Sequence, residues 1–353
     1  LRVDDFLDEV AAETGIAGSE EPIQVSVVSD VLGRDYGLSG GLIPIATEKD
    51  DTFRLEAGGR PYLVKVSPSS EAADIVDLQT SALLHLEEVA PELPVQRLVR
   101  TRAGGVAVEL ETDQAPSRTL RVFDFVPGTL LADAQPSAAQ LGDAGAMLAK
   151  IGSTLAEFDH PREERLLLWD LAHFHRLRRL LDSVRDPGHR SLAERVMDEF
   201  EQEVVPVLGT LRRQVVHGDY SPYNVVVEPG ASPFITGVID FGDTVRTTTV
   251  FDIAVMTANQ IGRDEHDPWA AAAAFIRGYR AERALDDTEL ATLRIAGLAR
   301  LALRALVAEW RAEQSPDRQE YVMSHASHDW IHLAVAASTD RRDVARLLSA
   351  HTC

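Results

Sequence analysis

The sequence predicts an α+β chain of two lobes, a small β-rich N-terminal lobe and a larger, mainly helical C-terminal one. Three observations carry that expectation. From Tyr36 onward, short strand-like runs (LIPIA, TFRLEA, PYLVKVS) are split by the turn segments TEKDD and GGR. After Pro136, apolar residues recur at helical spacing, as in Leu141, Ala144, Met147, Leu148, Ile151 and Leu155. The chain also has 353 residues, more than one hydrophobic core usually needs. The expected organisation is an extension over residues 1–35, an N-lobe over 36–126 and a C-lobe over 127–353.

The bulk composition excludes several classes of function. With 45% hydrophobic residues a sizeable core is expected, yet no apolar run approaches the roughly 18 residues of a membrane span. The start, LRVDDFLDEVAAETG, is acidic and lacks the basic-then-apolar order of a signal peptide. The one cysteine, Cys353, leaves no intrachain disulfide, so a reducing, cytoplasmic setting is expected. A formal charge of −21 argues against nucleic-acid and anionic-membrane partners and is compatible with a cationic small molecule. Only Lys49, Lys65 and Lys150 are lysines, so Lys65 inside the apolar run LVKV stands out.

Taken in order, the extension begins helical, with Asp4, Asp5 and Glu9 near a helix N-terminus, and then reads as a β-rich approach, IQVSVVSDVLG. After the three strands comes a helix from about Glu71 to Val89, its core face formed by Ile75, Val76, Leu78, Ala82, Leu83 and Leu86. VQRLVRT and GGVAVELET are expected to complete the N-lobe strands. RTLRVFDFVPG then leads between the lobes. Residues 168–206 read as further helices, in which His173 and His175 lack partners at metal-ligand spacing. The stretch from Pro268 to about Ser338 is helical, with LATLRIAGLARLALRALVAEW amphipathic.

The chemistry concentrates between Val215 and Val255. There the chain reads strand, loop, strand, turn, strand, loop, and polar residues sit at the ends of apolar runs. His217-Gly218-Asp219 follows Val215-Val216, Asn224 precedes Val225–Val227, and Ile235–Ile239 delivers Asp240. Phosphoryl transfer needs a carboxylate to orient and deprotonate a hydroxyl, together with oxygen ligands for a metal. Asp219 suits the first task. Asn224 and Asp240 suit the second, because Mg2+ is satisfied by one or two protein oxygens plus phosphates and water.

The order HGDxxxxN…IDFGD resembles the catalytic and metal loops of the aminoglycoside phosphotransferase and choline kinase superfamily, which implies a bilobal protein-kinase-like fold. Several further blocks resemble hydroxylysine kinase-like phosphotransferases: YGLSG, TEKDDTF, DLQTSALLHL with APELPV, LWDL, HGDYSPYN, VIDFGD and SPDRQEYVMSHASHDW. The resemblance implies that Lys65 contacts the nucleotide phosphates and that the first hairpin covers them, with Thr52 supplying a hydroxyl. It implies an acidic partner for Lys65 on the helix: an ungapped alignment puts Gln79 there, with Asp77 two residues earlier and Glu71 in the first turn, and Asp77 is the choice. Backbone groups of Asp124, Phe125 and Val126 would contact the base, and His217 and Asp252 would support the HGD loop.

Mg2+ and ATP or GTP are the implied cofactors. The implied acceptor is a small, cationic, hydroxyl-bearing molecule such as 5-hydroxylysine, with Asp243, Trp169, Asp170 and Arg300 as its candidate contacts. An enzyme that modifies an antibiotic or other natural product would share every catalytic residue. A nucleotide-binding module without activity would be at odds with the intact Lys65, Asp219, Asn224 and Asp240.

Overall fold

The computed structural model describes residues 6–14, 21–47, 49–110, 117–264, 266–314 and 319–350. Asp4, Asp5, Glu48, the end of GGVAVELET, part of the SPDRQEYVMSHASHDW block and Cys353 lie outside the described residues.

The described part of the extension is mostly helical. Helix α1 (Phe6–Thr14) turns Phe6, Leu7, Val10 and Ala11 into the core of the C-lobe, where the Arg176 guanidinium lies 3.4 Å from the Phe6 ring centre. The expected β-rich approach is instead helix α2 (Val25–Val31), running into a π-helical turn over Leu32–Tyr36. Its β-branched valines mimic a strand locally. The buried set Val28, Val31, Leu32 and Tyr36 nevertheless follows helical spacing, and packing on the N-lobe sheet outweighs propensity.

The N-lobe sheet comprises β1 (Gly40–Ile45), β2 (Asp51–Ala57), β3 (Arg60–Val66), β4 (Ala107–Leu110) and β5 (Arg118–Asp124), antiparallel in the order β1-β2-β3-β5-β4. Lys65 pairs across the ladder with Thr52 of β2 and Arg121 of β5. Helix α3 (Ala73–Val89) follows β3, and its Leu78, Ala82, Leu83 and Leu86 belong to the C-lobe core. VQRLVRT is not a strand. It makes isolated bridges from Val95 to Val238 and from Leu98 to Phe123, so this segment joins the two lobes instead of widening the sheet.

The C-lobe continues through β6 (Thr129–Leu130) and α4 (Ala138–Leu155), which a Ser137–Gln140 capping box opens. The predicted helices after residue 168 are two 3-10 segments, Leu171–Arg176 and Arg178–Ser183, and then α5 (Pro187–Glu203). Two small sheets carry the loops of interest: β7 (Arg213–Val216), β8 (Val225–Val227), β9 (Ile235–Val238) and β10 (Val245–Thr248), arranged as β10-β7 and β6-β8-β9. Helices α6 (Thr249–Gln260), α7 (Ala270–Glu282), α8 (Asp287–Gln314), α9 (Gln319–Ser338) and α10 (Arg341–Ser349) complete it. Far from being simply amphipathic, α8 buries Leu298, Ala299, Leu301, Ala302, Leu303, Ala305 and Leu306 around its axis, which makes it the central C-lobe helix. Among the described residues no helix is long and apolar enough to cross a membrane.

Candidate active site

The β7–β10 framework presents its polar residues to one cleft. After β7, the chain turns at Gly218 (φ 82°), where a Cβ would lie 2.0 Å from the Asp243 carbonyl oxygen. Only glycine allows the His217–Asp219 loop and the Asp240–Asp243 loop to touch. His217 is fully buried. Its Nε2–H donates to the Ile239 carbonyl at 3.1 Å, and its Nδ1 accepts the Asp219 N–H at 3.3 Å. Burial lowers its pKa and keeps the ring neutral, as that pair of bonds requires. Asp252, at the start of α6, accepts the Gly218 N–H at 2.9 Å; burial pushes its carboxyl up to about 6, against the pull of His217 and of the loop N–H groups. Both residues thus hydrogen-bond to the backbone of the loops that carry Asp219 and Asp240.

Asp219 keeps 32% side-chain exposure, and its Oδ2 accepts from Asn224 Nδ2 at 2.7 Å. Burial pushes its carboxyl up to about 7; Arg300 pulls it down, while Asp243 and Asp240 add to the rise. A carboxylate titrating near neutrality is chemically able to take a proton from a hydroxyl. Asn224 spends its amide hydrogens on Asp219, which leaves its carbonyl oxygen outside those bonds. Its own main-chain carbonyl accepts the Ile239 N–H at 2.9 Å, and Val225 pairs with Val238, so Asn224 and Asp240 flank the β8–β9 ladder side by side.

Asp240 adopts φ 62°, the sole positive value among described non-glycine residues. That conformation costs about 1–2 kcal/mol and aims the side chain into the cleft. There its Oδ1 meets Lys65 Nζ at 3.0 Å and accepts the Gly242 N–H at 3.2 Å. Burial opposes its charge, but Lys65 and the Gly242 N–H outweigh burial and lower its pKa. Asn224 and Asp240 thus offer the hard oxygens that Mg2+ prefers. Among the described residues no group of three or more His, Cys, Asp or Glu could hold a metal alone, so substrate phosphates and water would have to complete any shell.

The expected partner of Lys65 is corrected. Asp77 is turned outward, its side chain 68% exposed and 3.3 Å from His160 Nε2. Helix α3 rotates that position away from the sheet. Lys65 instead pairs with Asp240 and, at 3.6 Å, with Asp50 from the first hairpin. Thr52 is buried opposite Lys65, with its hydroxyl 3.2 Å from that of Thr47. At the inter-lobe segment, Asp124 pairs with Arg60 at 3.3 Å and its N–H donates to the Arg97 carbonyl at 2.9 Å. The Phe125 ring carries the Arg54 guanidinium at 4.7 Å, and the Val126 side chain packs over Gly237 of β9.

On the acceptor side, two expectations need correcting. Asp170 caps the first 3-10 segment, accepting from Ala172 N at 3.0 Å and Thr247 Oγ1 at 2.7 Å, and is buried. The Trp169 ring faces the Arg300 guanidinium at 5.2 Å, so its cation is a protein side chain. Arg300, from α8, reaches the Trp169 carbonyl at 2.7 Å and Asp219 Oδ1 at 3.4 Å. Asp243 is half-buried; burial raises its pKa, opposed by Arg165 and Arg300. Sequence reasoning placed Asp50 in the first hairpin's tip but not its pairing with Lys65, and it missed Arg165 and Arg304, the last of which holds Asn259 and Asp329 near Asp219.

Comparison with known proteins places the fold and the family. The chain is 26% identical over 328 residues to hydroxylysine kinase of Xenopus laevis, covering 86% of this chain and 87% of that one. The microcompartment-associated aminopropanol kinase superposes with a TM-score of 0.72 at 19% identity, covering 92% and 100% of the two chains. The amicoumacin kinase hAmiN, solved with AMP-PNP and Ca2+, superposes at 0.67 with 17% identity over 87% and 93%. Residues 42–295 match the phosphotransferase enzyme family, to which this chain therefore belongs, as a kinase-like enzyme that phosphorylates a hydroxyl group.

Proposed function

We propose that the protein is a small-molecule kinase that transfers the γ-phosphoryl group of ATP or GTP to the hydroxyl of an amino alcohol or hydroxy amino acid, with hydroxylysine the first candidate. The observation that carries the reading is Asp219, half-exposed, fixed by Asn224, and raised by burial to about 7. Such a carboxylate is placed to orient the acceptor hydroxyl and take its proton as phosphoryl transfer proceeds. Lys65 would hold the donor phosphates by charge, and backbone groups of residues 124–126 would meet the base. Asn224 and Asp240 would hold Mg2+, which when bound neutralises charge on the phosphate oxygens. Arg300 beside Asp219 is proposed to meet a carboxylate on the acceptor, and Asp243 its ammonium.

The acceptor class is supported by similarity to hydroxylysine kinase along most of the chain. The test is phosphate transfer from ATP and from GTP to hydroxylysine, ethanolamine, choline, homoserine and a set of aminoglycosides. Turnover of a cationic hydroxy compound supports the proposal. Turnover confined to bulky or neutral natural products would replace it with antibiotic modification. Nucleotide binding without any transfer would leave a binding module.

A further inference from the structure

Helix α3 reaches the Asp240 loop through an amide. Gln79 Nε2 donates to the Gly242 carbonyl at 3.1 Å and to Glu71 Oε1 at 3.0 Å. From the C-lobe, Arg165 Nη2 donates to the same Gly242 carbonyl, and its Nη1 lies 3.9 Å from Glu71. Lys49, at the tip of the first hairpin, closes the cluster on Glu71 at 2.7 Å. Gln79, Glu71 and Arg165 are all buried, so these bonds do not compete with bulk water.

The carbonyl they grip belongs to the residue whose N–H is bonded to Asp240 Oδ1. A carbonyl oxygen has two lone pairs, and here two donors far apart in the chain, Gln79 and Arg165, address them. Displacing Gly242 therefore displaces a bond that orients the metal-facing carboxylate. This accounts for an amide at position 79. A carboxylate there would set a second acceptor against both Gly242 O and Glu71, whereas an amide supplies both N–H groups.

We propose that Gln79 and Arg165 are positioning residues for the Asp240 loop, oriented by Glu71, so that the closeness of α3 to the C-lobe sets how well the enzyme binds metal-loaded nucleotide. The inference rests on the metal-assisted phosphoryl transfer proposed above and is independent of the acceptor.

The experiment is calorimetric titration of AMP-PNP with and without Mg2+ into wild type, Gln79→Glu, Gln79→Leu and Arg165→Lys, with thermal unfolding recorded for each. Wild type should gain affinity on adding Mg2+. Both Gln79 variants should lose at least five-fold of that gain while metal-free affinity stays within two-fold, and Arg165→Lys, which keeps a donor, should lose less. Gln79→Glu is close to isosteric and is read alone if the apolar variant does not fold. Folded Gln79 variants with the wild-type metal gain would overturn the proposal, whatever their melting temperatures. A wild type that gains nothing from Mg2+ would overturn the metal reading itself, and this inference with it.

Discussion

Asp219 is the proposed base, and Asp219→Asn keeps its size and its contact with Asn224 while removing the ionisable carboxylate. The expected loss is about 10²–10⁴ in kcat, or roughly 3–5 kcal/mol of barrier, with the melting temperature little changed. A variant retaining more than about a tenth of wild-type kcat would move the base elsewhere. Asp50 calls for the opposite kind of change. Its carboxylate lies 3.6 Å from Lys65 Nζ, where donor phosphates are proposed to sit, and burial raises its pKa despite Lys65. Asp50→Asn should tighten metal-free nucleotide binding by roughly five-fold, about 1 kcal/mol, by removing a like charge. Weaker binding in the same titration would mean that Asp50 steadies Lys65 more than it repels phosphate. The two residues also mark what sequence can reveal. Asp219, Asn224 and Asp240 follow one another at the ends of apolar runs, so local spacing singles them out. The pairing of Lys65 with Asp50, and of Gln79 with Gly242, depends on how a hairpin tip and a helix rotate onto the cleft, which no local pattern encodes.

At the scale of elements, the strands of the first meander and the helices α3 and α4 were legible because periodicity and turn residues agreed. The errors fell where two signals conflicted. The β-branched composition of Val25–Val31 concealed helical burial, and the apolar run after Leu168 folds as 3-10 turns with bonds such as Leu177 N to Phe174 O at 3.1 Å. Helix packing in the C-lobe depends on another feature absent from any hydrophobic pattern. Helices α4 and α7 cross at glycines: a Cβ on Gly278 would lie 1.9 Å from the Gly142 carbonyl oxygen, and one on Gly145 would lie 2.0 Å from that of Phe275. The obstacles are main chain, so no rotamer change relieves them. Gly278→Ala should therefore separate the helices and cost about 1–3 kcal/mol or more, despite the better helix propensity of alanine. Denaturant unfolding measures this directly, and an unchanged midpoint would show that the helices can slide apart freely.

At the scale of the whole molecule, two main cores share a boundary line. One gathers Val28, Leu55, Val64, Leu120 and Val122 in the N-lobe; the other spans α1, α3 and the C-lobe helices. Among the described residues, polar contacts of the N-terminal half cross to the C-lobe loops. They include Lys65 with Asp240, and the 94–96 segment with Val238, where Gln96 N donates to the Val238 carbonyl at 2.9 Å and Val238 N to the Pro94 carbonyl at 2.7 Å. A nucleotide bound between Lys65 and Asp240 would add ties across that line, so its binding energy should appear as stability of the lobe pair and not of one lobe. Ligand at about 100 times its Kd stabilises the native state by about 2.7 kcal/mol. Mg2+ with AMP-PNP should thus raise the melting temperature and sharpen unfolding followed by the tryptophans, all of which lie outside the N-lobe sheet (Trp169, Trp269, Trp310 and Trp330). Lys65→Ala should keep the ligand-free transition near that of wild type and lose most of the ligand-induced rise, since it removes the N-lobe end of the tie. A full rise in Lys65→Ala would place the donor phosphates on the C-lobe alone and leave the lobes uncoupled by nucleotide.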